Sequence, residues 1–179
     1  DNPILSDLRV RKALIHSIDR TAISNRLFSG KQPVAHNKIH PLDWIHTNNI
    51  KKYSFDPQKA RELLNDAGWN TTKAGFRYNS VGKKLQLELM STAGNRSREL
   101  VEQVLQSYWK AVGIDIKIRN QPARVLFGET ISKRKFTGLA MFAWLTWKAT
   151  HLFGCPGVEA TSFCVIWLTL GLPQGLRCP

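Results

Sequence analysis

LQLELMSTAGNRSRELVEQVLQSYWKAVGIDIKI, residues 85–118, decides the fold. It opens on Leu85, Leu87 and Leu89 alternating with Gln86, Glu88 and Met90. That period of two predicts a strand with one face buried. Ser91 to Asn95 then breaks the alternation. From Arg96 to Val112 the apolar residues Leu100, Val101, Val104, Leu105, Tyr108 and Val112 recur at helical spacing. They predict a long helix that buries this face. Gly113 stops the helix, and Ile114, Ile116 and Ile118 alternate with Asp115, Lys117 and Arg119 in a second strand. Strand, helix and strand in this order make a βαβ unit, so the two strands are expected to be parallel with a right-handed crossover.

The pattern extends in both directions. Downstream, Pro122 opens a third helical stretch to about Lys133, and Phe136 to Phe142 is an apolar run. A nearly all-apolar strand is expected at the centre of a parallel sheet. Upstream, residues 70–84 are polar and glycine-containing and predict a connector. Asp56-Pro57 starts a helix whose stripe is Ala60, Leu63, Leu64 and Ala67, and Gly68 ends it, with Trp69 packing back. Residues 31–54 read as loop. Near the start, Ser6 is the expected N-cap of a helix carrying Val10, Ala13, Leu14 and Ile18, and Asp19 caps a second helix stopped by Gly30. The fold class is therefore α/β, a small mostly parallel sheet with flanking helices.

The chain has 179 residues, with 42% apolar and 22% charged side chains, which suits a folded domain with a core of its own. Its net charge of +13 favours an anionic partner. The basic residues are dispersed, however, and no zinc-finger spacing or RNP-like strand accompanies them. A basic nucleic-acid-binding domain remains the alternative of a different class, separable by the salt dependence of DNA binding. The first residues lack both a basic n-region and an apolar h-region. No signal peptide is therefore expected in this stretch, which reads as a piece of something longer. The longest apolar run, Phe163 to Leu172, is about half a membrane span.

No chemistry-bearing motif is complete. His36, His40 and His46 lie near Asp43 in a loop-like stretch, without the ligand set of a metal site, so neither metal nor cofactor is expected. No nucleophile elbow or phosphate loop is present, and no catalytic residue is assigned. The loop holding Thr92 and Asn95 follows a strand and precedes a helix. Its amides could receive an anionic or carbonyl group, or Asn95 could simply cap the helix. Trp144, beside Ala143, falls just past the third strand, where open α/β sheets place ligands. It is either a core aromatic or an apolar wall of a site.

Four strings together resemble a known family. "LSDLRVRKALIHSIDRTAI", "YSFDPQKARELLNDAGW", the 85–118 segment and "FTGLAMFAWLT" resemble, in order and spacing over residues 1–146, the family 5 extracellular solute-binding proteins of ABC importers. The resemblance implies one lobe, the second, of a two-lobed periplasmic receptor. Such a receptor closes over a peptide or small solute and delivers it to an inner-membrane permease; it is not an enzyme and does not bind nucleic acid. It implies ligand contacts at the end of the third strand, at Trp144 and Ala143, which join Asn95 and Thr92 of the loop as the candidate ligand residues. Many relatives hold a peptide amino terminus with an Asp soon after the position of Trp144, and Leu145 to Gly154 contains no carboxylate.

From Trp147 the resemblance stops abruptly. Residues 147–179 hold all three cysteines (Cys155, Cys164 and Cys178) and almost no charge. This tail is expected to derive from a shifted reading frame, and a non-functional receptor remnant is then the nearer alternative. Translating the other two frames past codon 146 tests this. One frame is expected to restore a polar ligand loop followed by a charged helix; if neither does, the tail is a genuine extension.

Overall fold

The computed structural model describes residues 2–36, 47 and 49–142. The helices start where short polar side chains meet the first free amides. Asn2 caps α1 (Pro3–Ser6) and Asp7 caps α2 (Leu8–His16), its Oδ1 accepting from the Arg9 N–H at 2.8 Å. The expected cap, Ser6, instead closes α1 by donating its hydroxyl to the Pro3 carbonyl. Pro3 sets an extra turn before the main helix, and this moves the cap by one residue. Asp19 caps α3 (Arg20–Phe28), and Asp56 caps α4 (Pro57–Asp66) with Pro57 at its first position. α2 and α4 pack together, burying Val10, Ala13 and Leu14 with Ala60 and Leu64.

Residues 71–78 form a hairpin rather than the expected connector. β1 (Thr71–Lys73) pairs antiparallel with β2 (Phe76–Tyr78) across Ala74 and Gly75, both at positive φ. These strands are three residues each, too short for a period of two to stand out, and the turn lacks the Asn-Gly signature. Arg77 fixes the hairpin. Its buried guanidinium donates to the carbonyls of Val112 (2.8 Å) and Trp69 (2.7 Å) and to Asn65 Oδ1 (2.5 Å), at the C-terminal ends of α4 and of the helix over Arg96–Ala111. A cation is favoured at such ends because helix carbonyls concentrate partial negative charge there.

The βαβ unit has the expected form. β3 (Gln86–Met90), α5 (Arg96–Ala111) and β4 (Asp115–Ile118) follow in order, and Gln86 to Leu89 pair in parallel with Asp115 to Ile118. Asn95 caps α5 through the Arg98 N–H. The buried face of α5 is rotated from the expected one. Val101, Leu105 and Trp109 lie at its centre, while Leu100 is 40% exposed and Tyr108 only half-buried. Trp109 is fully buried and its Nε1–H donates to the Leu14 carbonyl at 3.0 Å, tying α5 to α2.

Beyond β4, the expected helix to Lys133 is a single α-turn, α6 (Ala123–Val125), that widens into a π-helical stretch, Leu126–Ile131. Gly128 and the β-branched Thr130 weaken regular winding, while buried Leu126 and the Thr130 hydroxyl, bonded to Gln121 at 2.7 Å, hold both ends. The expected central strand over 136–142 is also corrected. Only Leu139–Ala140 forms a strand, β5, and the sheet order β4-β3-β5 puts β3 in the middle. The run is apolar because both faces of the sheet are covered. Leu139 and Met141 enter the core under α5, whereas Ala140 and Phe142 pack with Met90 and Leu126 on the other side.

Candidate functional site

All three strands of this sheet are parallel, so their C-terminal ends gather at one edge. That edge is where an open α/β sheet leaves a crevice, because the loops there diverge to helices on opposite faces. Here the β3–α5 loop (91–95) meets the segment after β4 (119–122). Thr92 and Gln121 bridge in parallel fashion, and the Ala93 N–H donates to the Gln121 carbonyl at 2.8 Å. β5 joins through Ser91, whose hydroxyl donates to the Met141 carbonyl at 2.7 Å. Phe142, just beyond, meets Phe127 edge to face with centroids 5.6 Å apart, which gives the edge an aromatic side.

A polar relay from buried Ser91 through half-buried Asn120 to buried Glu102 holds these ends in place. Asn120 Oδ1 accepts the Ser91 N–H at 2.9 Å, and Asn120 Nδ2 donates to Glu102 Oε2 at 2.7 Å. Glu102 lies on α5 with 1% exposure, and its Oε1 has no hydrogen-bond partner among the described residues. Burial raises its carboxyl above the ordinary 4.5; the Asn120 bond opposes this and the Glu99 charge adds to it. A carboxyl raised on folding is a stabilising neutral acid at low pH. That advantage is lost as the pH climbs past the unfolded value and through the folded one. Glu102→Gln keeps an acceptor for Asn120 and does not titrate. The unfolding free energy of the wild type is therefore expected to fall relative to Glu102→Gln as pH rises from about 4 to about 8. A constant difference across that range, measured by urea titration, would contradict this.

The expected ligand residues are placed unevenly. Asn95 is exposed, but its side-chain oxygen is engaged as the α5 cap. Thr92 is 4% exposed and its Oγ1 accepts from Arg98 Nη1. The loop amides are also used, with Ser91 bonded to Asn120, Ala93 to Gln121, and Gly94 to Glu99 Oε1 at 3.0 Å. Ala143 and Trp144 lie outside the described residues, as do His40, His46 and Asp43. His36 sits 3.5 Å from Arg20, and among the described residues no three metal-ligating side chains converge. The sequence reading missed Ser91, Asn120, Gln121 and Glu102. Glu102 alone left a trace, as a carboxylate between Val101 and Leu105 inside an apolar helical arc. An open groove of about 370 Å³ elsewhere, lined by Phe76, Gln106, Lys110 and Ile116 among others, follows the side of β4 away from β3 rather than the strand ends.

The sequence pattern of the bacterial extracellular solute-binding proteins, family 5 Middle, matches residues 1–154, running past Thr146. The chain belongs to that family. Its relatives include the oligopeptide-binding protein AppA of Bacillus subtilis, 32% identical over 118 residues, covering 65% of this chain and 22% of AppA. Di/tripeptide-binding protein 3 of Pseudomonas aeruginosa is 29% identical over 167 residues, covering 87% of this chain and 28% of its own length. Among solved structures, the oligopeptide-binding protein of Thermus thermophilus in complex with a pentapeptide superposes with a TM-score of 0.73. It has 37% sequence identity and covers 79% of this chain and 25% of that one. The family 5 chain thus has the fold of the periplasmic-binding-protein class, in the small parallel sheet and flanking helices expected. It spans between a fifth and a third of the length of these relatives. No helix among its described residues is long and apolar enough to cross a membrane.

Proposed function

We propose that residues 1–146 are the second lobe of the substrate-binding component of an ABC importer for peptides or similar small solutes. The chain does no covalent chemistry. It contributes one wall of a site that a second lobe closes by hinge motion, and the closed receptor presents its ligand to a permease from the periplasmic side. The observation that carries this reading is the gathering of three parallel strand ends at one edge, tied by Ser91, Asn120 and the Thr92–Gln121 bridge. Trp144 and Ala143, next along the chain, together with Asn95 and Thr92, are the residues we assign to this wall.

One wall covers one side of a ligand, so the isolated chain is expected to bind weakly. For di- to pentapeptides a Kd near or above ~1 mM, about −4 kcal/mol, is the expected scale. Calorimetry with a neutral pentapeptide checks this. Micromolar affinity would contradict the single-lobe reading, because it would require the chain to enclose the ligand unaided.

A further inference from the structure

The strand-end loops and the first residues of the helices that follow them, residues 91–98 and 119–124, carry four arginines, with Glu99 the next acid along the chain. Arg96 and Arg98 begin α5 on one side, Arg119 follows β4, and Arg124 lies in α6 on the opposite face of the sheet. The positions of Arg96 and Arg98 oppose local helix energetics. Two cations in the first turn of α5 sit at the positive end of the helix dipole, so helix stability gives no reason for them there. Glu88 pairs with Arg119 at 3.4 Å, and Glu99 in the same first turn of α5 accepts the Gly94 N–H, so among the described residues the cations of this edge without an acid partner in a salt bridge are Arg96, Arg98 and Arg124. Arg98 is anchored on the Thr92 hydroxyl, which points to a guanidinium held over the loop rather than free in solvent. Arg96 and Arg124 are exposed.

We propose that this edge selects acidic peptides, with Arg96 and Arg124 as the specificity-determining residues. The proposal rests on the strand-end site described under Proposed function. Two exposed guanidinium groups flanking the strand-end edge can pair with side-chain carboxylates of a bound peptide. A lysine-containing peptide meets the same field as repulsion. Guanidinium groups also match carboxylate geometry bidentately, which favours carboxylates over other polar side chains.

The test uses the 179-residue chain and three pentapeptides that differ only at two positions, occupied by glutamates, glutamines or lysines. Amide shifts in ¹⁵N-labelled protein are followed in each titration at low salt. The glutamate peptide is expected to shift the amides of residues 91–95 and 119–122 and to bind about fivefold tighter than the glutamine peptide and about tenfold or more tighter than the lysine peptide. Half-molar salt shrinks these gaps, and R96Q combined with R124Q removes the gap between the glutamate and glutamine peptides. If all three peptides bind this edge equally, the selectivity is overturned and the peptide site stands. If none shifts these amides, both fail. Tighter binding of a short oligothymidylate to the same amides overturns the proposal in favour of a nucleic-acid surface.

Discussion

Gly138→Ala is expected to detach β5 from the sheet and to cost about 3 kcal/mol or more of stability. The cause is contact, not backbone strain, since Gly138 is not at positive φ. A Cβ built there would lie 2.2 Å from the Glu88 carbonyl oxygen and 2.9 Å from its carbon. Both are backbone atoms of the central strand, and Glu88 is held in register opposite Lys117 on its other side. β3 therefore cannot yield, and the entry to β5 must. Losing that approach breaks the Leu89–Leu139 and Met90–Ala140 pairings, and with them the Met141 N–H bond to the Met90 carbonyl and the Ser91 hydroxyl bond to the Met141 carbonyl. A lower urea midpoint should come with faster amide exchange at Met141. Gly128→Ala is the control, since an added Cβ there meets nothing within 4 Å. A wild-type midpoint for Gly138→Ala would mean that β5 does not approach β3 as described.

Trp109→Ala is expected to cost a similar amount, about 3–5 kcal/mol, by a different route. The indole is fully buried in the main core, and its Nε1–H is the donor that joins α5 to the end of α2. Truncation leaves a cavity and removes that bond. Against a typical total stability of about 5–15 kcal/mol, this is a large share. Trp109→Phe restores most of the volume without the donor and should recover most, but not all, of the loss. Leu100→Ala, on the exposed side of the same helix, is expected to stay within about 0.5 kcal/mol. Equal losses at positions 100 and 109 in chemical denaturation would contradict the observed rotation of the helix.

That rotation marks where the sequence stopped being readable. The helix starts at Asp19, Asp56-Pro57 and Asn95 and the stop at Gly113 were legible because caps and stops are decided by a few neighbouring residues. The βαβ unit was legible because its periodicity changes cleanly at Asn95 and Gly113. The hairpin at 71–78 was not, since Arg77 is held by carbonyls of α4 and α5 that only the tertiary fold brings near. The edge position of β5 was hidden for a related reason. An apolar run reports two covered faces, and it says nothing about how many strands lie beside it. At the site, Asn95 and Thr92 were found from loop position, but the relay through Ser91, Asn120 and Glu102 joins residues 29 and 18 apart and has no local pattern. Trp144 and Ala143 fall outside the described residues and stand as part of the proposed wall.

In the proposed receptor the C-terminal edge of the β4-β3-β5 sheet is the ligand-facing surface. Photo-crosslinking with a benzophenone-bearing tripeptide, followed by mapping of the labelled peptides by mass spectrometry, tests this placement. Label is expected to concentrate in residues 91–98, 119–127 and 141–146, and excess unlabelled peptide to compete it away. Label concentrated instead on Phe76, Gln106 and Lys110, which line the groove along the side of β4 away from β3, would contradict it.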